Sequence, residues 1–182
     1  MEPKLPWQCH SQEFFNYPTV ITKSSIHLAG DGRFSLQEIK NGSIIRTSPI
    51  ITLNQYIIKK QKGCIKINSY SELEKLKEHL KQIDDIDIEK YLSWFFFGID
   101  NSLFLYTESF HINHSMNNNV NPIIKYNELQ EISTTDIDCN TEFFWNYNNF
   151  KFPNFYYKWC KDNNLTNVID IINNINHMTI HE

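Results

Sequence analysis

The sequence predicts a mainly β domain with short helices. Several short stretches are rich in β-branched and aromatic residues and end at Asn, Asp or Gly, which is typical of strands joined by turns. A few other stretches carry apolar residues at helical spacing. The chain has 182 residues and no internal repeat, so we expect a single domain over residues 1–182. Many short strands with a few helical inserts indicate an irregular, β-rich architecture.

The predicted strands lie before and after a helical insert. In the first group, Pro49 is expected to divide one apolar stretch into two strands, because proline cannot donate to a sheet ladder. The first group covers residues 20–28, 43–46 and 50–53, and the second covers 102–106, 120–126, 129–133 and 142–147.

The predicted helices lie between these two groups of strands and near the end of the chain. Ser71 and Glu74 have the spacing of a capping box, and leucines follow at helical spacing. An acidic cluster at 84–87 is interpreted as a solvated loop that caps a second helix over 88–97, in preference to a metal site. Three aromatic residues, Tyr91, Trp94 and Phe95, would share one side of that helix, and apolar spacing predicts a last helix over 165–175.

Composition excludes several classes of function. The chain is 41% hydrophobic and 21% charged, which is ordinary for a soluble globular protein. A net charge of −4 argues against a nucleic-acid partner, and no run approaches the ~18 apolar residues of a membrane span. The four cysteines form neither a disulfide framework nor a zinc ribbon. We therefore expect an intracellular protein, nuclear or cytoplasmic, that binds neither nucleic acid nor membrane.

Two short motifs carry candidate chemistry. Asn113 and His114 come shortly after an apolar run at 103–105, and polar groups that enter a core need hydrogen-bond partners. Gly30 and Gly32, one residue apart, permit positive φ and close approach of a ligand to the backbone. A lone Gly-x-Gly is also typical of a hairpin turn, and the sequence leaves both interpretations open.

With a third segment at 136–147, these motifs resemble the SET domain of protein lysine methyltransferases. The similarity rests on Gly30-Asp31-Gly32-Arg33-Phe34-Ser35, then Asn113-His114-Ser115, then Asp136-Ile137 through Asn146-Tyr147, in the order typical of the family. It covers about residues 24–147, with a variable insert at about 54–97, and 148–182 would be a C-terminal closing segment. The resemblance implies several small sheets around a pseudoknot, in which the last segment lies close to the Asn-His-Ser segment.

The resemblance also implies a function and a set of site residues. S-Adenosyl-L-methionine would be the cofactor, and the substrate would be a protein that presents a lysine, histone or non-histone. Tyr147 would supply the catalytic hydroxyl. The implied cofactor-binding residues are Gly30, Gly32, Arg33, Phe34, Asn113, His114 and Tyr147. The candidates for a substrate channel are Tyr91, Trp94, Phe144, Tyr156, Tyr157 and Trp159. Methyl transfer to an amine is an in-line displacement that depends on positioning and requires no metal.

The chain departs from the family pattern at several positions. Met116-Asn117-Asn118 stands where Cys-x-Pro is common, so only Asn119 is kept there. Asn140-Thr141 replaces Gly-Glu, Asn146 replaces Asp, and Ala29 stands where Arg is frequent. Only Cys160 could ligate zinc after the last motif, so no zinc is expected and aromatic packing at 155–159 would close the site.

Three alternatives remain open from the sequence. The chain could be a catalytically inactive SET-fold protein that acts as a peptide or protein binding module. His111 and His114 could bind a metal together with Cys139 or Cys160, although they lack the usual ligand spacing. The third alternative is an Asn-rich, aromatic β protein in which the motif matches are coincidental.

Overall fold

The structure, a computed structural model, confirms a mainly β fold with short helices. It describes residues 4–8, 11–27, 29–83, 87–108 and 111–170. The strands are β1 (Thr19–Lys23), β2 (Asp31–Ser35), β3 (Ile44–Thr52), β4 (Cys64–Ile67), β5 (Phe97–Ile99), β6 (Ser102–Tyr106), β7 (Asn113–His114), β8 (Val120–Lys125), β9 (Glu128–Ser133) and β10 (Phe144–Trp145). The helices are α1 (Leu53–Lys59), α2 (Tyr70–Lys81), α3 (Ile88–Phe95) and α4 (Asn154–Asp162), with single 3₁₀ turns at Pro6–Gln8 and Tyr147–Asn149.

These strands form three separate sheets. The largest has the order β5-β6-β4-β3-β9-β8, and β3 at its centre pairs in parallel with β4 and antiparallel with β9. β1 and β2 form an antiparallel hairpin, and β7 pairs in parallel with β10. The strands of the Gly-x-Gly segment and of the two later motifs therefore lie in the two small sheets and not in the large one.

The predicted break at Pro49 is wrong, because β3 runs without interruption through it. Pro49 pairs with Glu128 at the last position of the β3–β9 ladder, and the β3–β4 ladder begins one residue later at Ile50. Proline has no backbone N–H, but Pro49 lies where the β3–β9 ladder ends and the β3–β4 ladder begins. The absence of that donor therefore costs the sheet little stability. Leu53 starts α1 instead of ending a strand, because Thr52 and Gln55 form a capping box that the sequence reading missed.

The insert helices differ from prediction in detail. The N-cap of α2 is Ser69, whose hydroxyl accepts from the Glu72 NH, so the predicted box at Ser71 lies two residues too late. The leucine stripe is confirmed, since Leu73, Leu76 and Leu80 are fully buried. In α3 the buried face carries Ile88 and Leu92, whereas Trp94 is 44% exposed. Asp87 is the N-cap of α3 without a side-chain cap bond, and residues 84–86 lie outside the described part of the chain.

The aromatic stretch after residue 150 forms α4, an element that the sequence did not predict. The Trp159 indole Nε1 donates to Glu74 of α2 at 2.7 Å, and the Tyr156 hydroxyl donates to the Ser93 carbonyl of α3 at 3.0 Å. The closing segment is therefore packed onto the insert. Of the predicted helix over 165–175, helical geometry starts at Val168 and residues 171–175 lie outside the described residues. Within the described ranges, no helix combines the length and apolarity needed to cross a bilayer.

Candidate active site

Three segments that are far apart in sequence meet at β2. The Arg33 NH donates to the His111 carbonyl, and the Arg33 carbonyl accepts from the Phe143 NH, each with an N···O distance of 2.8 Å. Asn113 of β7 lies opposite Phe144 of β10. These backbone contacts therefore bring the Gly-x-Gly strand, the Asn-His-Ser segment and the last motif together.

At the centre of this site is the buried carboxylate of Glu142, which is 3% exposed. Its Oε1 accepts from Ser24 Oγ at 2.8 Å and from Asn113 Nδ2 at 2.9 Å. Its Oε2 accepts from the Ser25 NH at 2.8 Å and the Ser25 hydroxyl at 2.6 Å. Burial raises the pKa of this carboxyl, but the hydrogen bonds from Ser25, Asn113 and Ser24 outweigh burial and hold the pKa below its ordinary value. Glu142 is therefore ionised at neutral pH.

The two glycines of the Gly-x-Gly motif are needed for different reasons. Gly30 has φ +77°, and a Cβ there would meet no atom within 4 Å. A Cβ on Gly32 would lie 2.0 Å from Glu142 Oε1, which no real contact tolerates. Gly30 thus provides a left-handed backbone conformation with an open face. Gly32 makes room for the carboxylate of this chain, a reason that the sequence reading, which considered only a turn or a ligand, did not include.

Two asparagine side chains connect the motifs. Asn113 Nδ2 donates to the Asp31 carbonyl at 3.1 Å as well as to Glu142. The side chain of Asn119 binds the backbone on both sides of Phe143. Its Nδ2 donates to the Glu142 carbonyl and its Oδ1 accepts from the Phe144 NH, both at 2.8 Å. Asn119, the one residue kept from the usual family sequence after the serine, therefore fixes the backbone that carries Glu142.

His114 contacts the last motif through its ring. The Tyr147 NH donates to His114 Nδ1 at 3.1 Å, and the two ring centroids are 5.4 Å apart. Burial lowers the pKa of His114, although the nearby Trp145 carbonyl acts in the opposite direction. Because Nδ1 accepts a hydrogen bond, the ring is neutral and carries its proton on Nε2. This neutral ring positions the backbone of Tyr147.

Tyr147 begins the 3₁₀ turn that follows β10. Its hydroxyl donates to the Ile112 carbonyl, and its ring stacks on Phe150 with centroids 5.0 Å apart. Burial raises the pKa of Tyr147, so the phenol stays neutral. Asn146 caps the turn, because its side chain accepts from the Asn148 NH at 3.1 Å.

The SET domain family model matches residues 30–148 of this chain. The chain belongs to the SET-domain family. Members of this family are generally protein lysine methyltransferases. No curated protein matches the chain at a significant level.

Solved structures with a similar fold include those of Polycomb Repressive Complex 2 of Chaetomium thermophilum. An apo complex in an autoinhibited state aligns with TM-score 0.53 and 20% identity, over 81% of this chain and 17% of the other. An autoinhibited complex bound to S-adenosylmethionine gives TM-score 0.52, 20% identity and the same coverages. A humanized mutant bound to an inhibitor gives TM-score 0.52 and 20% identity, over 78% and 16%. The chain thus spans about a sixth of the length of these neighbours, and the likeness shows the fold alone.

Two of the six aromatic residues predicted to line a substrate channel are packed inside the SET domain. Tyr156 and Trp159 are both 0% exposed. Tyr156 stacks on Phe152 with centroids 4.5 Å apart, and the ring of Phe96 meets both residues edge-on. As placed here they join α4 to the core, and their channel role stays a prediction.

The other four aromatics are partly exposed and lie in three places. Phe144 is half-buried in β10, directly opposite Asn113. Tyr91 and Trp94 meet edge-on on α3 with centroids 5.9 Å apart, and Tyr157 on α4 is 42% exposed. Of the four, Phe144 is the one that pairs directly with a predicted cofactor residue.

Arg33 and Phe34, predicted to contact cofactor, serve the framework in this structure. The Arg33 guanidinium is fully buried, donates to Thr19 Oγ1 at 2.7 Å and lies 4.2 Å from the Phe15 ring centroid. Burial lowers the pKa of Arg33 to about 10. Phe34 forms a bridge with the strand segment at Glu142. Their cofactor contacts stay predictions.

The alternative of a metal site at His111 and His114 with Cys139 or Cys160 finds no ligand cluster in the described part of the chain. Among the described residues, no group of three or more His, Cys, Asp or Glu is placed to hold a metal ion. His114 Nδ1 is already occupied by the Tyr147 NH, Cys139 is exposed and Cys160 is buried in α4.

Sequence reasoning missed Glu142 as a site residue. It is an acid directly before the aromatic run Phe143-Phe144-Trp145. An acid that enters the core inside such a run must be partnered. That rule could have identified Glu142, but not its four donors, because Ser24 and Ser25 are more than 100 residues away.

Alanine substitutions at the two glycines are expected to differ in cost. Gly32→Ala should lower the free energy of unfolding by about 3 kcal/mol, because the new methyl overlaps a carboxylate that its hydrogen bonds hold in place. Gly30→Ala should cost only about 1–2 kcal/mol, the strain of a left-handed residue in open space. Urea unfolding of both variants measures the difference. Equal losses would contradict the packing of Glu142 on Gly32.

Acid is expected to destabilise the fold through His114. In the unfolded chain this residue has its ordinary pKa of about 6.5, so the unfolded state takes up the proton first as pH falls. The contribution of the neutral ring is present above pH about 6.5 and is lost as pH falls through the lower pKa of the folded state. Unfolding free energies measured from pH 7.5 to 5 should fall less steeply in His114→Gln than in the wild type. The exposed His27 provides the control His27→Gln, which should keep the wild-type slope.

Proposed function

We propose that the chain transfers a methyl group from S-adenosyl-L-methionine to a lysine side chain of a protein substrate, histone or non-histone, inside the cell. The observation that carries the proposal is the position of Tyr147. Its hydroxyl bonds to the carbonyl of Ile112, the residue directly before Asn113, and its NH bonds to His114. The predicted catalytic hydroxyl therefore lies beside the predicted cofactor residues.

The residues present fit the cofactor. Asn113 Oδ1 accepts no hydrogen bond from the described residues, and its side chain is partly exposed, so an acceptor is available to a ligand. The face of Gly30 is open, which permits close approach to the backbone. Gly30, Gly32, Asn113 and His114 would hold the cofactor, which when bound supplies an electrophilic methyl group on its sulfonium.

Tyr147 would orient the reacting groups and would not remove a proton. Its pKa is raised by burial, so the phenol is neutral at physiological pH and cannot act as a base. The Tyr147 hydroxyl donates its hydrogen bond to the Ile112 carbonyl, so the lone pairs of the phenol oxygen are available as acceptors. A fixed acceptor beside a positively charged centre stabilises charge without reorganisation. Removal of water from the lysine amine would favour its neutral, nucleophilic form.

Retention of Asn113, His114 and Tyr147 favours an active site over an inactive binding module, and the departures from the family pattern keep the backbone in place. Asn140 stands where the family has Gly and has φ +64°, a conformation that asparagine tolerates. Asn146 caps the turn that starts at Tyr147. Asn119 makes its hydrogen bonds to the Glu142 carbonyl and the Phe144 NH although the three residues before it differ from the family pattern.

Cofactor binding tests the proposal first. S-Adenosylhomocysteine, the product of methyl transfer, should bind one-to-one in titration calorimetry. Asn113→Ala should weaken binding about 10- to 100-fold, the range for losing a hydrogen bond to a charged group. Asn54→Ala, the same substitution at an exposed position on α1, is the control and should bind as the wild type does. If the wild type does not bind, the chain is an inactive SET fold, and a peptide partner would be sought instead.

Turnover tests the role of Tyr147. Tyr147→Phe should reduce methyl transfer by about 100-fold or more, because it removes one preorganised polar group from the reacting centre. It should still bind S-adenosylhomocysteine. The assay follows radiolabelled methyl groups into a panel of lysine-bearing proteins, with Tyr126→Phe at an 85% exposed position as the control. Unchanged turnover in Tyr147→Phe would refute the catalytic assignment.

A further inference from the structure

We propose that Gly98 is a positioning residue for Tyr147. Because it has no side chain, residues 150–152 lie directly on β5, and this contact fixes the position of the Tyr147 ring and hydroxyl. The inference rests on the proposed function and adds a residue to it. Gly98 belongs to none of the three motifs, and it acts on Tyr147 only through residues 150–152.

A glycine is required at position 98 by space and not by backbone conformation. Its φ lies outside the left-handed region, so other residues could adopt the same backbone. A Cβ there, however, would lie 2.6 Å from the Lys151 carbonyl oxygen and 2.9 Å from the Phe152 nitrogen. These are backbone atoms, which cannot rotate away as the end of a side chain can. Ordinary Cβ contacts begin at 3.4 Å, so the backbone at Lys151 would have to move by about 0.8 Å, the difference between 3.4 and 2.6 Å.

A backbone hydrogen bond holds this contact in place. The Lys151 NH donates to the Gly98 carbonyl with an N···O distance of 3.1 Å. β5 is the edge strand of the large sheet and pairs with β6 on its other side, where Gly98 lies opposite Leu103. Lys151 itself is exposed, so its backbone and not its side chain attaches the chain after Tyr147 to the large sheet.

The position of Lys151 is coupled to Tyr147 through Phe150. The Phe150 NH donates to the Tyr147 carbonyl at 3.0 Å, and the two rings stack with centroids 5.0 Å apart. The centroid of the Phe150 ring also lies 5.8 Å from that of Trp145 and 6.2 Å from that of Phe97. Phe150 is only 8% exposed, so it has little space into which it could move. Since packed interiors transmit strain, a shift at Lys151 reaches Tyr147.

The other side of the contact is equally constrained. Phe152 is buried, and its ring stacks on Tyr156 with centroids 4.5 Å apart. Pro153 follows directly as the N-cap of α4, and the Tyr156 hydroxyl fastens that helix to the Ser93 carbonyl of α3. A displacement caused at position 98 therefore cannot be taken up by α4 alone.

The predicted cofactor residues are attached elsewhere in the fold. Gly32 lies in β2, which pairs with β1, and Asn113 lies in β7, which pairs with β10. The Tyr147 NH is bonded to His114, so a displacement that arrives through Phe150 acts first on the ring and hydroxyl of Tyr147. Loss of the Gly98 contact should therefore impair methyl transfer much more than it impairs cofactor binding.

The experiment measures kcat for methyl transfer and the Kd for S-adenosylhomocysteine in Gly98→Ala. The kcat should fall about 10- to 100-fold, because a misplacement of about 1 Å can cost as much as 100-fold, whereas the Kd should change less than about threefold. Gly63→Ala is the matched control. A Cβ on Gly63 would also meet a backbone carbonyl, that of Pro49 at 2.4 Å, and Gly63 has φ +150°. Gly63→Ala should therefore lower the free energy of unfolding but leave kcat per folded molecule unchanged.

Unchanged kcat in folded Gly98→Ala would overturn the inference. A merely structural role would appear as an equal loss of kcat and of S-adenosylhomocysteine affinity, or as the same loss of kcat in Gly63→Ala, and either result would overturn it too. If Gly98→Ala does not fold, Phe150→Leu tests the same connection, because it removes the ring that stacks on Tyr147 and keeps an apolar side chain. It should lower kcat and leave the Kd unchanged, and a normal kcat would refute the coupling.

The two levels of the proposal fail in different ways. A wild-type protein that neither binds S-adenosylhomocysteine nor transfers methyl groups would refute the proposed function and the inference with it. Normal wild-type turnover together with an insensitive Gly98→Ala would refute only the role of Gly98.

Discussion

The carboxylate of Glu142 joins parts of the chain that are more than 100 residues apart. Ser25 is 117 positions away in sequence, yet its NH and hydroxyl both bond to Oε2. A buried ionised carboxylate is costly unless donors surround it, so the fold must bring Ser24, Ser25 and Asn113 to this point. The same requirement explains why β2 has a glycine at position 32. Glu142 thus links the segment after β1 to β7 through hydrogen bonds to one carboxylate.

A second buried charge cluster supports the site from the large sheet. Arg46 Nη1 lies 3.9 Å from Glu131 Oε1, and the Tyr106 hydroxyl donates to the same oxygen at 2.8 Å. The Arg46 guanidinium also lies 3.8 Å from the Tyr106 ring centroid, and that ring is 6.4 Å from the ring of Trp145 in β10. Burial raises the pKa of Glu131, while Arg46 acts in the opposite direction. Such a pair adds little net stability, but removal of one partner leaves a buried charge without compensation.

The sequence predicted the parts of the fold that depend on local pattern. β6, β8 and β9 lie within a residue of their predicted bounds, because their apolar residues are continuous and end at turns. The proximity of the Gly-x-Gly strand to Asn113 and Tyr147 was expected only from the resemblance to the SET domain, since no local pattern encodes it. Pro49 misled the prediction, because its effect depends on which ladder bond it would have made.

The remaining misses have a common physical cause. α4 forms in a stretch whose aromatics look equally suited to a strand, and only contacts with α2 and α3 decide between them. Glu142 was overlooked for a similar reason, since its importance comes from donors in a distant loop. A site that depends on side-chain hydrogen bonds between remote segments cannot be predicted from spacing alone.

The packing of α4 on the insert affects how the domain could be recombined. Trp159 and Tyr156 each place a polar hydrogen on an acceptor in the insert, Glu74 and the carbonyl of Ser93. If residues 54–97 were exchanged for those of another protein, both donors would be left buried without acceptors. A chimera would therefore have to exchange the insert and α4 together. The two segments, separated by about a third of the chain in sequence, form one exchangeable module.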